Sequence, residues 1–190
     1  MLVSPKSPRS SYKNANLTYE NVFQTICFLV KPKRIVEYGI LDGFSLNSLV
    51  KYSSPDCQII AYDIFDDFVG NHANKEYITD LFRSFPNVCV AKGDFYKHYT
   101  QLEDNTIDII HIDIANTGDT YEFAVDNYLS KLTPNGVLIL EGGSTERDQV
   151  WWMTKFNKRT VSDFLTQTKA TFTVLLPFPS LTIIQKEFKK

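Results

Sequence analysis

The sequence predicts an α/β fold, an open and doubly wound sheet with helices on both faces. Short β-branched runs such as Arg34 to Tyr38 and Gln58 to Asp63 alternate with amphipathic helical stretches, and Gly39 and Gly43 mark a tight turn between the first run and the helix after it. Short apolar runs of this kind suit strands covered on both faces, as parallel sheets require.

The elements follow in order. Met1 to Asn16 is rich in Ser, Pro, Lys and Arg and reads as a flexible N-terminal tail, 1–16, ahead of a single domain over 17–190. In that tail Lys6, Arg9 and Lys13 either close over an anionic substrate or remain solvated. Thr18 caps a helix through Val30, with Val22, Ile26 and Leu29 on one face, and Pro32 stops it. After the first strand, Ser45 to Tyr52 forms a helix packed through Leu46, Leu49 and Val50. The second strand ends at Asp63, and a helix around Asn74 to Phe85 is expected to bury Tyr77, Ile78, Leu81 and Phe82. Pro86-Asn87 turns into a third strand at Val88 to Ala91, and Thr106 to Ile112 is the fourth. A helical segment from Thr120 to Leu132, a Pro134-Asn-Gly136 turn and a fifth strand, Val137 to Glu141, come next. Thr145 to Asp148 opens a helix containing Trp151 and Trp152; one tryptophan is expected to pack inward and the other to face a substrate pocket. Arg147 is read either as a clamp for an anionic group or as a solvent-facing charge. A helix over Thr160 to Gln167 precedes two strands, Phe172 to Leu176 and Leu181 to Gln185, joined as a hairpin.

Composition sets limits. With 190 residues, 43% of them hydrophobic, the chain can bury one sizeable core. A net charge of -2 offers no general attraction to nucleic acid. Cys27, Cys57 and Cys89 stand singly in apolar runs without metal spacing, and read as buried thiols of a reducing compartment. No apolar stretch has the length of a membrane span, and the first residues lack a signal peptide's apolar core, so a cytoplasmic location is expected.

The turn Glu37-Tyr-Gly39-Ile-Leu-Asp42-Gly43-Phe-Ser45 carries the first ligand signal. Its glycines let backbone approach a ligand closely, and the free N–H groups of the following helix favour polar or anionic groups. The G-x-G-x-x-G triplet that cradles a pyrophosphate is absent. Asp63, twenty residues on, is placed to hold a ribose, so a cofactor with a nucleoside and an amino-acid tail fits better than a dinucleotide.

These segments, in this order from Lys33 to Lys186, resemble a class I S-adenosylmethionine-dependent methyltransferase. The resemblance implies a Rossmann-like sheet of strand order 3-2-1-4-5-7-6 with an antiparallel terminal hairpin. It implies that Glu37, Gly39, Gly43 and Ser45 cradle the methionine part, that Asp63 accepts hydrogen bonds from both ribose hydroxyls, and that Asp94 and Phe95 flank adenine. It also implies that S-adenosylmethionine is the cofactor. Asp63 as a strand-end residue and Asp94 as a helix cap are the plainer readings of the same positions.

Substrate chemistry is expected after the fourth strand, because open parallel sheets bind ligands beyond their carboxyl ends. His111, Asp113 and Asp119 are the candidate catalytic residues, each a potential base for an acceptor hydroxyl. A helix cap is the competing reading for Asp119, and a hydrogen-bonded core histidine for His111. Asp113 and Glu141 are candidate ligands for Mg2+, an oxygen-seeking ion. Asp113 and Asp119-Thr-Tyr121 resemble macrocin-type sugar O-methyltransferases, but residues 114 to 118 are extra and Glu141-Gly142-Gly143 lacks the second acid of that group. The Asp-Asn that catechol-type enzymes place there is missing as well. The expected reaction is O-methylation of a small hydroxylated metabolite or sugar, with no nucleic-acid or membrane partner and a homodimer as one option for assembly. A protein that binds the cofactor without transferring methyl, and a nucleotide-dependent oxidoreductase, are the alternatives.

Overall fold

A computed structural model describes residues 18–176 and 179–186. The expected tail, 1–16, and part of the turn between the last two strands lie outside the described residues. Seven strands form one sheet: β1 (Arg34–Tyr38), β2 (Gln58–Asp63), β3 (Val88–Lys92), β4 (Ile107–Ile112), β5 (Leu132–Glu141), β6 (Thr171–Leu175) and β7 (Leu181–Gln185). Their order is β3-β2-β1-β4-β5-β7-β6, with β7 antiparallel to both β5 and β6, as the resemblance implied.

Helices cover both faces. On one side α1 (Tyr19–Val30), α2 (Phe44–Tyr52) and α3 (Lys75–Phe82) pack on Ile35, Ile59, Ile109 and Ile139. On the other, α4 (Phe95–His98), α5 (Gly118–Tyr128) and, beyond the short α6 (Thr145–Asp148) and α7 (Trp151–Lys155), α8 (Val161–Gln167) enclose Val36, Ile110, Ile112 and Leu138. Adjacent residues of one strand point to opposite faces, so Ile109 and Ile110 supply one residue to each core, and both are fully buried. Each such burial contributes about 1.5–3 kcal/mol.

Local chemistry sets the helix ends. Thr18 caps α1 reciprocally with Asn21, Asn74 accepts from the N–H of Tyr77 at α3, and Thr160 accepts from Asp163 at α8. α1 ends at Val30, two residues before Pro32, with the C-cap Lys31 in the left-handed conformation. Several boundaries differ from the expectation. The Pro134-Asn-Gly136 segment is a bulge within β5, because Ile107 pairs with Leu132 and Ile109 with Val137, so Gly136 comes close to the Ile107 carbonyl. In α3 only Ile78 and Phe82 are buried; Tyr77 and Leu81 are exposed, since the helix is a two-turn element with one narrow inward face. Leu29 of α1 is exposed because the inward face of that helix runs through Phe23, Ile26 and Cys27. Cys27 and Cys57 are buried, which pushes their thiols up to about 12 and about 11, whereas Cys89 is exposed and departs from the expectation.

Hydrogen bonds continue past the strand ends and align the loops there. The Gly39 amide donates to the Tyr62 carbonyl, Gly93 to Asp63 and Asp113 to Tyr38, at 2.8 to 3.0 Å. No described helix is long and apolar enough to cross a membrane.

Candidate active site

A cavity of about 650 Å³ opens beyond the carboxyl ends of β1 to β4. The strand order reverses there, between β1 and β4, and the loops on the two sides diverge to leave a crevice.

One end of the cavity is built by turns. Gly39, at φ +86°, sits so close to β4 that a Cβ would lie 1.9 Å from the Asp113 carbonyl oxygen; Gly43, at φ +80°, is the N-cap of α2. Both positions demand glycine. Asp63 is nearly buried, and its Oδ2 accepts from the Ile40 amide at 2.8 Å, while Oδ1 accepts from the Phe65 amide at 2.9 Å and from the Asn71 side chain. The carboxylate therefore ties the β1 turn to the β2 turn. Asp94 caps α4, accepting from the Tyr96 amide at 2.9 Å, and pairs with Lys97 at 3.0 Å. Phe95 is stacked on Tyr128 at 4.9 Å and edge-on to Tyr38 at 5.5 Å, which fixes its ring in the wall. Gly39, Ser45, Asp63, Asp94 and Phe95 all line the cavity. Leu41, Phe44 and Phe68 form an exposed apolar rim around this end.

The other end is built by side chains. His111 lines the cavity although only 2% exposed, and its Nδ1 lies 2.8 Å from Oε1 of Glu37. Glu37, a residue of β1, is fully buried and does not line the cavity; Ser45 Oγ donates to the same oxygen. Asp113 stands at the mouth with its carboxylate accessible to a small molecule, yet the enclosing protein mass removes enough water to raise its pKa, with Glu37 adding to the rise and His111 and Arg147 opposing it. Tyr19, from the first turn of α1, completes this end and donates to the Ser180 carbonyl at 3.2 Å. Burial and the negative charges of Glu141 and Asp113 hold its phenol protonated well above the usual range.

Glu141 and Arg147 form a buried pair next to this end. Arg147 Nε donates to both carboxylate oxygens at 3.0 and 2.9 Å, and its guanidinium lies over the Trp152 ring at 5.1 Å. Burial raises the Glu141 pKa and Arg147 offsets part of the rise. Arg147 is thus neither a solvent-facing charge nor a lining residue. Among the described residues no group of three or more His, Cys, Asp or Glu side chains is placed to hold a metal ion, and the Asp113 and Glu141 pair does not fit magnesium, because a guanidinium already occupies Glu141.

Asp119 stands apart from the cavity. Thr117, not Asp119, caps α5, and the Asp119 carboxylate is mostly exposed, 3.6 Å from Arg159. The partner in its motif, Tyr121, is fully buried and donates to the Glu141 carbonyl at 3.2 Å. Asn116, in the extra segment after β4, donates to the Ile112 and Glu141 carbonyls at 3.0 and 2.8 Å, so the additional residues staple β4 to β5. Neither tryptophan lines the cavity: Trp152 is half-buried over Arg147 and Trp151 is exposed. Tyr19, Asn71 and Tyr96 line it without any sequence motif to announce them. Tyr19 has only its place at the start of a helix as a signal, since its hydrogen-bond partner lies 161 residues away.

The family model described as a methyltransferase domain matches residues 36–141, more than half of the chain. No curated protein sequence matches it. Solved structures that resemble it include a methyltransferase from Geobacter sulfurreducens, 15% identical with a TM-score of 0.63, covering 90% of this chain and 79% of that one. The O-methyltransferase from Bacillus cereus, solved in complex with SAH, is 16% identical with a TM-score of 0.62 over 91% of this chain and 83% of its own. The O-methyltransferase TomG from Streptomyces achromogenes, involved in tomaymycin synthesis and solved with SAM, is 15% identical with a TM-score of 0.62, covering 92% and 82%. With the strand order and the cavity at its reversal point, these findings make the chain a member of the methyltransferase domain family, a class I S-adenosylmethionine-dependent methyltransferase.

Proposed function

We propose that the cavity holds S-adenosylmethionine along its length and that the protein O-methylates a small hydroxylated metabolite, a sugar among the candidates. The observation that carries this reading is one cavity with a ribose-type carboxylate, Asp63, at one end and His111 with Asp113 at the other. Its volume suits a cofactor-sized molecule, and the exposed Leu41, Phe44 and Phe68 give that molecule an apolar rim to cover. The B. cereus and S. achromogenes relatives are both named as O-methyltransferases.

The residues fit the cofactor in a modified way. An ionised carboxylate has about four acceptor sites, and three of those of Asp63 are taken by Ile40, Phe65 and Asn71. One ribose hydroxyl then bonds Asp63, and the Asn71 amide serves the other. Asp94, whose carboxylate already caps α4, turns its remaining acceptor capacity to the adenine amine, and Tyr96 adds an exposed aromatic face beside it.

When bound, S-adenosylmethionine supplies a methyl group on a sulfonium, an electrophile that needs no further activation. What the protein adds is alignment and a proton acceptor. Bound there, S-adenosylmethionine would supply the methyl group to the acceptor oxygen and keep the bonding pair on its sulfur, and His111 or Asp113 would take the hydroxyl proton. Asp113, its pKa raised by burial, is a stronger base than an ordinary aspartate.

Labelled S-adenosylmethionine offered with a panel of sugars and phenols tests the reading. Transfer to a hydroxyl, lost in His111→Asn or Asp113→Asn while cofactor affinity is kept, is expected. Transfer to amine acceptors alone would contradict it.

A further inference from the structure

We infer that Glu37 is a positioning residue for His111, not a ligand of the cofactor's methionine part. The inference rests on the reading of His111 as a proton acceptor in a methyl transfer.

Glu37 is the acid of the glycine turn, and its sequence position alone suggests contact with a ligand. The structure directs it elsewhere. Its side chain is fully buried and does not reach the cavity wall; Ser45, whose Oγ donates to Oε1, stands between. The same Oε1 meets His111 Nδ1 at 2.8 Å across the β1–β4 ladder, where Glu37 and His111 are register partners. Phe23 packs edge-on against the imidazole at 5.0 Å and closes the side away from the cavity.

A carboxylate accepts only, so a hydrogen bond from a neutral imidazole to Glu37 requires the proton on Nδ1. His111 lines the cavity and its Nδ1 is turned into the core, which leaves the unprotonated Nε2 on the cavity side. That is the nitrogen an acceptor hydroxyl needs. When the proton arrives on Nε2, the Glu37 carboxylate stabilises the resulting imidazolium through the bond at Nδ1. Two further details fit a role beyond packing. Among the described residues the second oxygen of Glu37, Oε2, is buried without a hydrogen-bond partner, an arrangement that costs stability. The single hydroxyl of Ser45 lies on the oxygen that faces His111, so the carboxylate is oriented toward the ring.

Nitrogen-15 spectra of histidine-labelled full-length protein test the assignment directly, because the chain has only three histidines and His111→Asn identifies the signal. At neutral pH the His111 signals of the wild type are expected to show the proton on Nδ1. Glu37→Leu should shift the proton to Nε2, and Glu37→Gln, whose amide oxygen still accepts, should restore Nδ1. S-adenosylhomocysteine affinity, measured by calorimetry, should change by less than about threefold in both variants, since only an interaction removed from the ligand costs tenfold per 1.4 kcal/mol. A wild-type proton on Nε2 overturns the proposal without any variant, so a poorly folding Glu37→Leu does not protect it. A loss of affinity beyond tenfold with the His111 tautomer unchanged overturns it too, and returns Glu37 to the cofactor. Wild-type protein that binds no S-adenosylhomocysteine would refute the proposed function and leave the tautomer assignment to be judged from the spectra alone.

Discussion

At one end of the cavity the Asp63 and Asp94 carboxylates are held mainly by backbone amides of Ile40, Phe65 and Tyr96, with the Asn71 and Lys97 side chains added, whereas toward the other end His111 and Glu141 are fixed by side chains alone, Glu37 and Arg147. The first end is a property of the chain's path. The second is a network of buried charges, each stable only while its partner is present. A turn geometry can serve any member of a fold that binds the same cofactor, while a network of paired charges can be varied to suit one acceptor.

Substitutions at the two ends should fail in different ways. The largest effect is expected from Gly39→Ala, because a Cβ there collides with the Asp113 backbone at 1.9 Å and strains a left-handed residue. A loss of about 4 kcal/mol or more in denaturant unfolding is expected, and both ends of the cavity should be disturbed together.

Next in size, Arg147→Met leaves the buried Glu141 carboxylate unpaired, at a cost of about 3 kcal/mol in unfolding free energy. The deficit should shrink in acid, where Glu141 takes up a proton and its charge disappears. Adding Glu141→Gln should recover most of the stability at neutral pH; a double variant as unstable as the single one would show that Arg147 acts through its packing on Trp152 instead.

Asp63→Ala acts on the other end. Removing a charged acceptor from the ribose should weaken S-adenosylmethionine binding by about 1.5–3 kcal/mol, or roughly 10- to 100-fold by calorimetry. Asn71→Ala should weaken it less. Equal affinity in wild type and Asp63→Ala would reduce Asp63 to a structural tie between the β1 and β2 turns.

The smallest effect is a gain. Asp113 has a raised pKa, so its ionised form is less favourable in the folded protein than in the unfolded chain. The penalty is present in full above the folded pKa, fades as pH falls through it, and is absent below the ordinary Asp value of about 3.9. Asp113→Asn should therefore raise the melting temperature slightly at neutral pH and leave it unchanged near pH 3, while methyl transfer falls.

This division also explains what could be read from the residues alone. The strand spans Arg34–Tyr38, Gln58–Asp63 and Leu181–Gln185 follow from local apolar pattern, and so do the caps at Thr18 and Thr160, because propensity and hydrogen bonding act there over short range. The glycine turn and Asp63 are legible for the same reason. Asp119 misled because an acid beside a tyrosine resembles a motif, while its direction depends on how α5 begins: Thr117 takes the cap and turns Asp119 outward to Arg159. The pairings of Glu37 with His111 and Glu141 with Arg147 depend on β1 lying beside β4 and on α6 folding back over β5. Neither can be seen from spacing along the chain.

The most direct test of the account is calorimetric titration of the wild-type protein with S-adenosylhomocysteine and, separately, with NAD. Saturable one-to-one binding of S-adenosylhomocysteine, weakened in Asp63→Ala, with no measurable heat from NAD, is the predicted result. Preferential binding of NAD would contradict it and turn the cavity over to dinucleotide chemistry.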